Sequence, residues 1–213
     1  MQTYLFDFDG TLVDSMPSFI AGVIKELDKN NCQYDDDIIK IITPLGFAAT
    51  ADYFIKTFGL DISIEELVRA FKDNMANEYF YNIPAKNNVI KVLRELKDNG
   101  ASLNVLTASP HVTLDACLKR LKIFDLFDNV WSCEDFSTTK ANPEIYKLVA
   151  QKLNVNVKDV LFLDDNLNAN LTAKSAGMKV CGVFDESSVD YIEQMKSICD
   201  FYIYDFDQLL KIK

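Results

Sequence analysis

The feature that most limits what this chain can fold into is a regular alternation beginning at residue 84. Short apolar runs ending in polar or acidic residues (Leu103 to Leu106, Asn129 to Trp131, Val160 to Leu163, Lys179 to Phe184 and Phe201 to Tyr204) are separated by amphipathic helix patterns. A further run, Tyr4 to Phe8, stands near the start. Several of these are apolar at almost every position, as strands buried on both faces of a parallel sheet are. The helix after Pro84 carries Val89, Val92, Leu93 and Leu96 at helical spacing and stops at Gly100. Asn142-Pro143 opens another helix, through Ile145, Leu148 and Val149, and a third runs from about Asn168 to Ala176 before Gly177. This alternation predicts an α/β fold built on a doubly wound parallel sheet.

Residues 16–82 interrupt the pattern, because they hold helix signals with no convincing strand between them. Pro17 opens one helix with Phe19, Val23, Ile24 and Leu27 inward; a second runs through Ala51, Phe54, Ile55 and Phe58. A third starts at the capping box Ser63-Ile64-Glu65-Glu66 and continues through Leu67, Val68, Phe71 and Met75. The 213 residues therefore divide into an α/β core, 1–15 with 83–213, and an inserted helical domain, 16–82. Phe206 to Lys213 reads as a short closing helix, and the aromatic stripe Phe71, Tyr79, Phe80 and Tyr81 as core packing.

Charge and cysteine usage narrow the partners. With 22 basic against 32 acidic residues the net charge is -10, which repels a phosphate backbone and argues against nucleic-acid binding. An anionic small-molecule substrate would need a local cation or a bound metal. The five cysteines lie far apart with a single histidine, so a zinc site is not expected, and reduced, mostly buried thiols in a cytoplasmic protein are. No run of about 18 apolar residues exists to span a membrane. The chain reads as a monomer or weak homodimer.

In a parallel α/β sheet, ligands bind beyond the carboxyl ends of the strands. Asp7 and Asp9 end the first strand, Thr107 and Ser109 the second, and Asp164 and Asp165 the fourth, so four carboxylates converge on one rim. Clustered carboxylates raise one another's pKa unless a counter-ion is present. A hard divalent cation with oxygen ligands, Mg²⁺ foremost, resolves that repulsion. The alternative is that these acids only cap helices and turns at strand ends.

The stretch Asp7-Phe8-Asp9-Gly10-Thr11-Leu12-Val13-Asp14-Ser15 resembles the first motif of the haloacid dehalogenase-like (HAD) hydrolase superfamily in its phosphatase form. Leu106-Thr107-Ala108-Ser109 resembles the second motif, Lys140 to Tyr146 the third and Leu161 to Asp165 the fourth, with Ala176-Gly177-Met178 following. The resemblance implies a Rossmann-like core with a helical cap between motifs one and two, as in the phosphoglycolate phosphatase and β-phosphoglucomutase-like subfamily. It further implies that Asp7 is the nucleophile that becomes an aspartyl phosphate and Asp9 the general acid and base. Thr107, Ala108 and Ser109 would contact the phosphoryl group and Lys140 would neutralise it. Mg²⁺ would be held by Asp7, Asp165 and the backbone carbonyl of Asp9, with Asp164 as a further acid. Asp164-Asp165-Asn166 replaces the family's usual Gly-Asp-Ser, and Lys140-Ala141 its usual Lys-Pro.

The function this implies is Mg²⁺-dependent hydrolysis of a small phosphorylated metabolite. Two alternatives stand beside it: a β-phosphoglucomutase-like phosphoryl transferase, which the double acid favours, and a non-catalytic module that keeps the fold for binding. The uncharged stretch Thr43 to Thr50 is expected to be the cap's substrate loop, with no partner for a second anionic group. His111 is expected either to touch substrate or to sit at a helix start. Asp14 and Ser15 would shape the passage into the insert.

Overall fold

In a computed structural model that describes residues 2–42 and 45–212, the elements run β1 (Thr3–Phe6), α1 (Met16–Lys29), α2 (Asp37–Ile42), α3 (Phe47–Phe58), α4 (Ile64–Tyr81), α5 (Val89–Asp98), β2 (Ser102–Thr107) and α6 (His111–Arg120). There follow β3 (Asn129–Ser132), α7 (Glu144–Lys152), β4 (Val160–Asp164), α8 (Leu167–Ala176), β5 (Lys179–Val183), α9 (Ile192–Ile198), β6 (Phe201–Ile203) and a closing 3₁₀ helix, Phe206–Lys211. The six strands pair in parallel in the order β3-β2-β1-β4-β5-β6. This is the doubly wound sheet that the alternation predicts. Strand order reverses between β1 and β4, which opens a crevice at their carboxyl ends.

The chain divides into two compact units, Met1–Asp14 with Pro84–Lys213, and Ser15–Ile83. In the first, every residue of β1, β2 and β4 is buried, so these strands are mostly apolar, and the buried Asn104 of β2 is hydrogen-bonded to the Tyr4 carbonyl and to Ser102. One face of the sheet packs Leu5, Phe162 and Val180 against Ile145, Tyr146 and Val149 of α7. On α5 the buried residues are Val89, Val92, Leu93 and Leu96, the stripe expected at helical spacing. Gly177 closes α8 in the left-handed conformation (φ +102°), which a side chain would strain. α7 begins one residue later than expected, yet the Asn142 side chain still accepts from the Glu144 amide at 3.0 Å.

The helical unit packs α1 and α3 against α4. Its centre is Val23, Leu27, Phe54, Leu67 and Phe71, all without exposure. The Phe54 and Phe71 rings meet edge to face at 5.8 Å, each side chain contributing about 2 kcal/mol by burial. The capping box forms as read, with Ser63 accepting from the Glu66 amide and Glu66 from the Ser63 amide. Two expectations are corrected here. Thr43 and Pro44 of the supposed substrate loop lie outside the described residues, and Phe47 to Thr50 belong to α3, where Phe47 stacks on Phe19 at 5.0 Å. The aromatic stripe is not uniformly core, because Phe71 is buried but Tyr81, at the last turn of α4, is 74% exposed. The short helix α2 carries too few residues to show a period and was not anticipated. Among the described residues no helix is long and apolar enough to cross a membrane.

Candidate active site

Strand register sets the site. β1 pairs with β4 so that Phe6 lies beside Leu163, and the Asp7 amide donates to the Leu163 carbonyl at 2.8 Å. Asp7 is thereby brought abreast of Asp164, the last residue of β4. Oxygens of Asp7, Asp164 and Asp165 all lie within 4.8 Å of one another. Asp7 and Asp164 are buried and Asp165 is half-buried. Lys140, from the loop before α7, spans two of them, its ammonium donating to Asp7 Oδ1 at 2.6 Å and to Asp164 Oδ2 at 2.7 Å. The other Asp164 oxygen accepts from the Asn166 amide at 2.7 Å.

One ammonium faces three carboxylates, and the ionisation behaviour reflects that imbalance. Burial pushes Asp7 up to about 7, with Lys140 pulling it down and Asp164 adding repulsion. Burial, then repulsion from Asp164 and Asp7, raises Asp165 well above the usual carboxylate range. Burial alone would depress Lys140, but Asp164 and Asp7 outweigh it and hold the ammonium protonated. At Asp7 burial outweighs the pull of the ammonium at 2.6 Å, so its carboxyl stays above the usual carboxylate range. The upward pressure on the acids comes first from burial and then from the negative charge that one lysine leaves unbalanced. An all-oxygen donor set with excess negative charge fits a hard divalent cation such as Mg²⁺.

The turn after β1 is held tightly against Asp165. Gly10 has φ +72°, and a Cβ there would lie 2.6 Å from Asp165 Oδ2, so glycine is required on both counts. The Thr11 hydroxyl accepts from the Asp165 amide at 3.1 Å and donates to Asp165 Oδ1 at 3.2 Å. Asp9 lies on the side toward β2, where the Ser109 hydroxyl donates to Asp9 Oδ2 in a short hydrogen bond. Thr107 is buried, with its hydroxyl accepting from the Ser109 amide at 3.1 Å, and Ala108 is exposed at the rim.

His111 is the first residue of α6, and its ring nitrogens contact Asp115 at 3.0 Å and Asp135 at 2.8 Å. Of the two readings offered for it, the helix start is where it sits. Two further residues act at the site, Tyr146, which closes the third motif but has no marked role there, and Lys86, which lies outside every motif. Tyr146 shares its hydroxyl proton between the carbonyls of Lys140 and Ala169, at 3.1 and 3.2 Å, and so anchors the loop that presents Lys140. Lys86 donates to the Gly10 carbonyl at 2.7 Å. Its surroundings, Pro84-Ala85-Lys86-Asn87-Asn88, read as a polar lead into α5, and nothing there separates it from a surface lysine.

The family model described as haloacid dehalogenase-like hydrolase matches residues 4–183. The pyrophosphatase PpaX of Bacillus cereus (strain Q1) is 26% identical, over 100% of this chain and 96% of its own length. The crystal structure of a predicted phosphoglycolate phosphatase from Haemophilus somnus 129pt is similar with a TM-score of 0.83 at 24% identity, covering 99% of this chain and 97% of that one. A HAD-superfamily hydrolase of subfamily IA, variant 1, from Geobacter sulfurreducens PCA gives 0.80 at 15% identity, with 99% and 95% covered. At these identities the two structures speak for the fold alone.

Proposed function

The chain belongs to the haloacid dehalogenase-like hydrolases, and from that premise we propose that it is a Mg²⁺-dependent phosphatase that hydrolyses a small phosphorylated metabolite through an aspartyl phosphate on Asp7. The observation that carries this reading is the Lys140 ammonium bridging Asp7 and Asp164 at 2.6 and 2.7 Å, at the carboxyl ends of β1 and β4. A carboxylate can attack a phosphate dianion only where positive charge first cancels their repulsion. Lys140 supplies part of that charge beside the attacking oxygen. Relatives named as pyrophosphatases, which cleave a phosphate linkage, support the same chemistry.

In the first step an Asp7 oxygen forms a bond to phosphorus as the ester P–O bond breaks, and Asp9 gives its proton to the departing alcohol oxygen. In the second, Asp9, now anionic, takes a proton from water as the water oxygen attacks the aspartyl phosphate; inorganic phosphate leaves and the Asp7 carboxylate is restored. The Ser109 hydroxyl orients Asp9 by donating to Oδ2. Thr107, Ala108 and Ser109 receive the phosphoryl oxygens, Thr107 through its hydroxyl proton. Asp7, Asp165 and the Asp9 carbonyl would hold Mg²⁺, with Asp164 at hand; when bound, the ion supplies charge neutralisation for the transferring group. Asp164, whose oxygens accept from Lys140 and the Asn166 amide, serves first as the anchor of Lys140.

The test is turnover of 4-nitrophenyl phosphate with and without Mg²⁺, for wild type and Asp7→Asn. Metal-dependent turnover that the substitution abolishes is expected. Activity that survives EDTA, or an Asp7→Asn variant as active as wild type, would sink the mechanism.

A further inference from the structure

Lys86 lies beside the turn that follows β1 and outside every motif read from the sequence. Its backbone amide donates to the Leu12 carbonyl at 3.0 Å. Its ammonium donates to the Gly10 carbonyl at 2.7 Å, the Phe184 carbonyl at 2.6 Å and Asp185 Oδ2 at 2.8 Å. An ammonium has three donors, so this set is complete. The acceptors come from two distant segments, the turn after β1 and the stretch that leaves β5. The Lys86 side chain is 18% exposed and that of Asp185 5%. A lysine kept only for solubility would extend its head into water instead.

What this clasp grips is the carbonyl of Gly10, the residue that follows Asp9. Gly10 is pressed against the Asp165 carboxylate on its Cα side, its amide donates to the Val13 carbonyl at 3.0 Å, and its carbonyl is taken by Lys86. Asp185 is in turn fixed, because its Oδ1 accepts from both the amide and the hydroxyl of Ser187, at 2.9 and 2.6 Å. The Pro84–Lys86 segment also runs against the same turn through its backbone, with the Asp14 amide on the Pro84 carbonyl at 3.0 Å and a bridge between Val13 and Ala85. Main chain and side chain of one segment therefore hold both ends of the turn.

We propose that Lys86 is a positioning residue for the acid–base Asp9: its ammonium, braced by Asp185 and the Phe184 carbonyl, fixes the Gly10 peptide and with it the reach of the neighbouring carboxylate. The inference rests on the phosphatase reading and adds to it a residue that touches neither substrate nor metal. A misplaced acid harms esters in proportion to how badly the leaving oxygen needs a proton. Phenolate needs it more than 4-nitrophenolate, whereas simple loss of folded protein lowers both rates alike.

The experiment compares phenyl phosphate with 4-nitrophenyl phosphate in wild type, Lys86→Met and Lys86→Arg, alongside hydrogen exchange of the amides of residues 10–13. In Lys86→Met, kcat for phenyl phosphate is expected to fall about tenfold further than for 4-nitrophenyl phosphate, with KM little changed, and Lys86→Arg to recover most of the split. Exchange at residues 10–13 should quicken while that of α7 stays as in wild type. Equal losses on the two esters, or unchanged exchange at residues 10–13, would overturn the proposal. Should Lys86→Met not fold, Asp185→Asn loosens the same clasp while keeping both carbonyl bonds, and a smaller split in the same direction is the expected result. A wild type inert toward every ester would sink the phosphatase reading, and the clasp itself would still stand or fall on the exchange data.

Discussion

Among the described residues, the helical unit buries Val23, Leu27, Phe54, Leu67 and Phe71 with one charged residue, Glu26, whereas the α/β unit buries three, Asp7, Asp164 and Asp185, at or just beyond the carboxyl ends of its strands. Glu26 is matched locally, with Lys29 at 2.5 Å and the Asn74 side-chain Nδ2 donating at 2.7 Å. Asp185 is matched likewise by Lys86. Burying a balanced pair is close to neutral for stability, so such pairs report on structure. The group around Lys140 differs, because one cation serves two acids and a third stands beside them. Unbalanced buried charge persists only where something else repays it, and at the carboxyl edge of a parallel sheet that is ligand binding and chemistry.

The sharpest way to break this comparison is to remove one of the unbalanced acids. Asp7→Asn should cost a thousandfold or more in turnover, roughly 4 kcal/mol of transition-state stabilisation, while the thermal midpoint stays level or rises. A clear loss of stability instead would mean that the cluster is a structural network. Phe71→Ala should do the reverse in the helical unit, costing about 3–5 kcal/mol in denaturant unfolding through the cavity it leaves between α3 and α4. A cost below about 1 kcal/mol would show that the aromatic core there is loosely packed.

Mg²⁺ offers an intermediate test. At about a hundred times its Kd it should stabilise wild type by about 2.7 kcal/mol, read as a rise in thermal midpoint over an EDTA-treated sample, and Asp165→Asn should lose most of that rise. An equal rise in both would move the cation elsewhere. The smallest effect concerns His111, which hydrogen bonds to Asp115 and then Asp135 hold above its ordinary pKa against mild burial. A group with a raised folded pKa contributes stability that is full below its unfolded value, near pH 6.5, and fades as pH rises through the folded one. The difference in thermal midpoint between wild type and His111→Gln should therefore be largest near pH 5.5 and shrink above pH 7. With its side chain 39% exposed the effect is small, and a difference that grew with pH would reverse the assignment.

Much of the fold is legible in the sequence, for local reasons. Continuous apolar runs identify doubly buried strands, and Gly100, Gly177, Asn142-Pro143 and the Ser63 capping box mark helix ends through chemistry confined to a few residues. Other features carry no clear local mark: α2 is too short to show a period, Phe47 to Thr50 are helical despite their loop-like composition, and the stripe ending at Tyr81 gives no sign that its last ring turns outward. Parallel strands bring their carboxyl ends together, so the positions of Asp7, Thr107 and Asp164 on one rim followed from order alone.

By itself, then, the sequence determined the class of sheet, the helical insert and which acids end strands, because each of these is set by spacing along the chain. Only the tertiary structure decided how those residues are partnered. That Lys140 holds Asp164 as well as Asp7, that the Ser109 hydroxyl meets Asp9, and that Lys86 turns inward to grip residues 76 and 98 positions away are outcomes of register and packing. A lysine carries no mark of its partner in the sequence, since its charge and reach are the same on a surface and in a clasp, and only the acceptors that folding brings around it decide which it becomes.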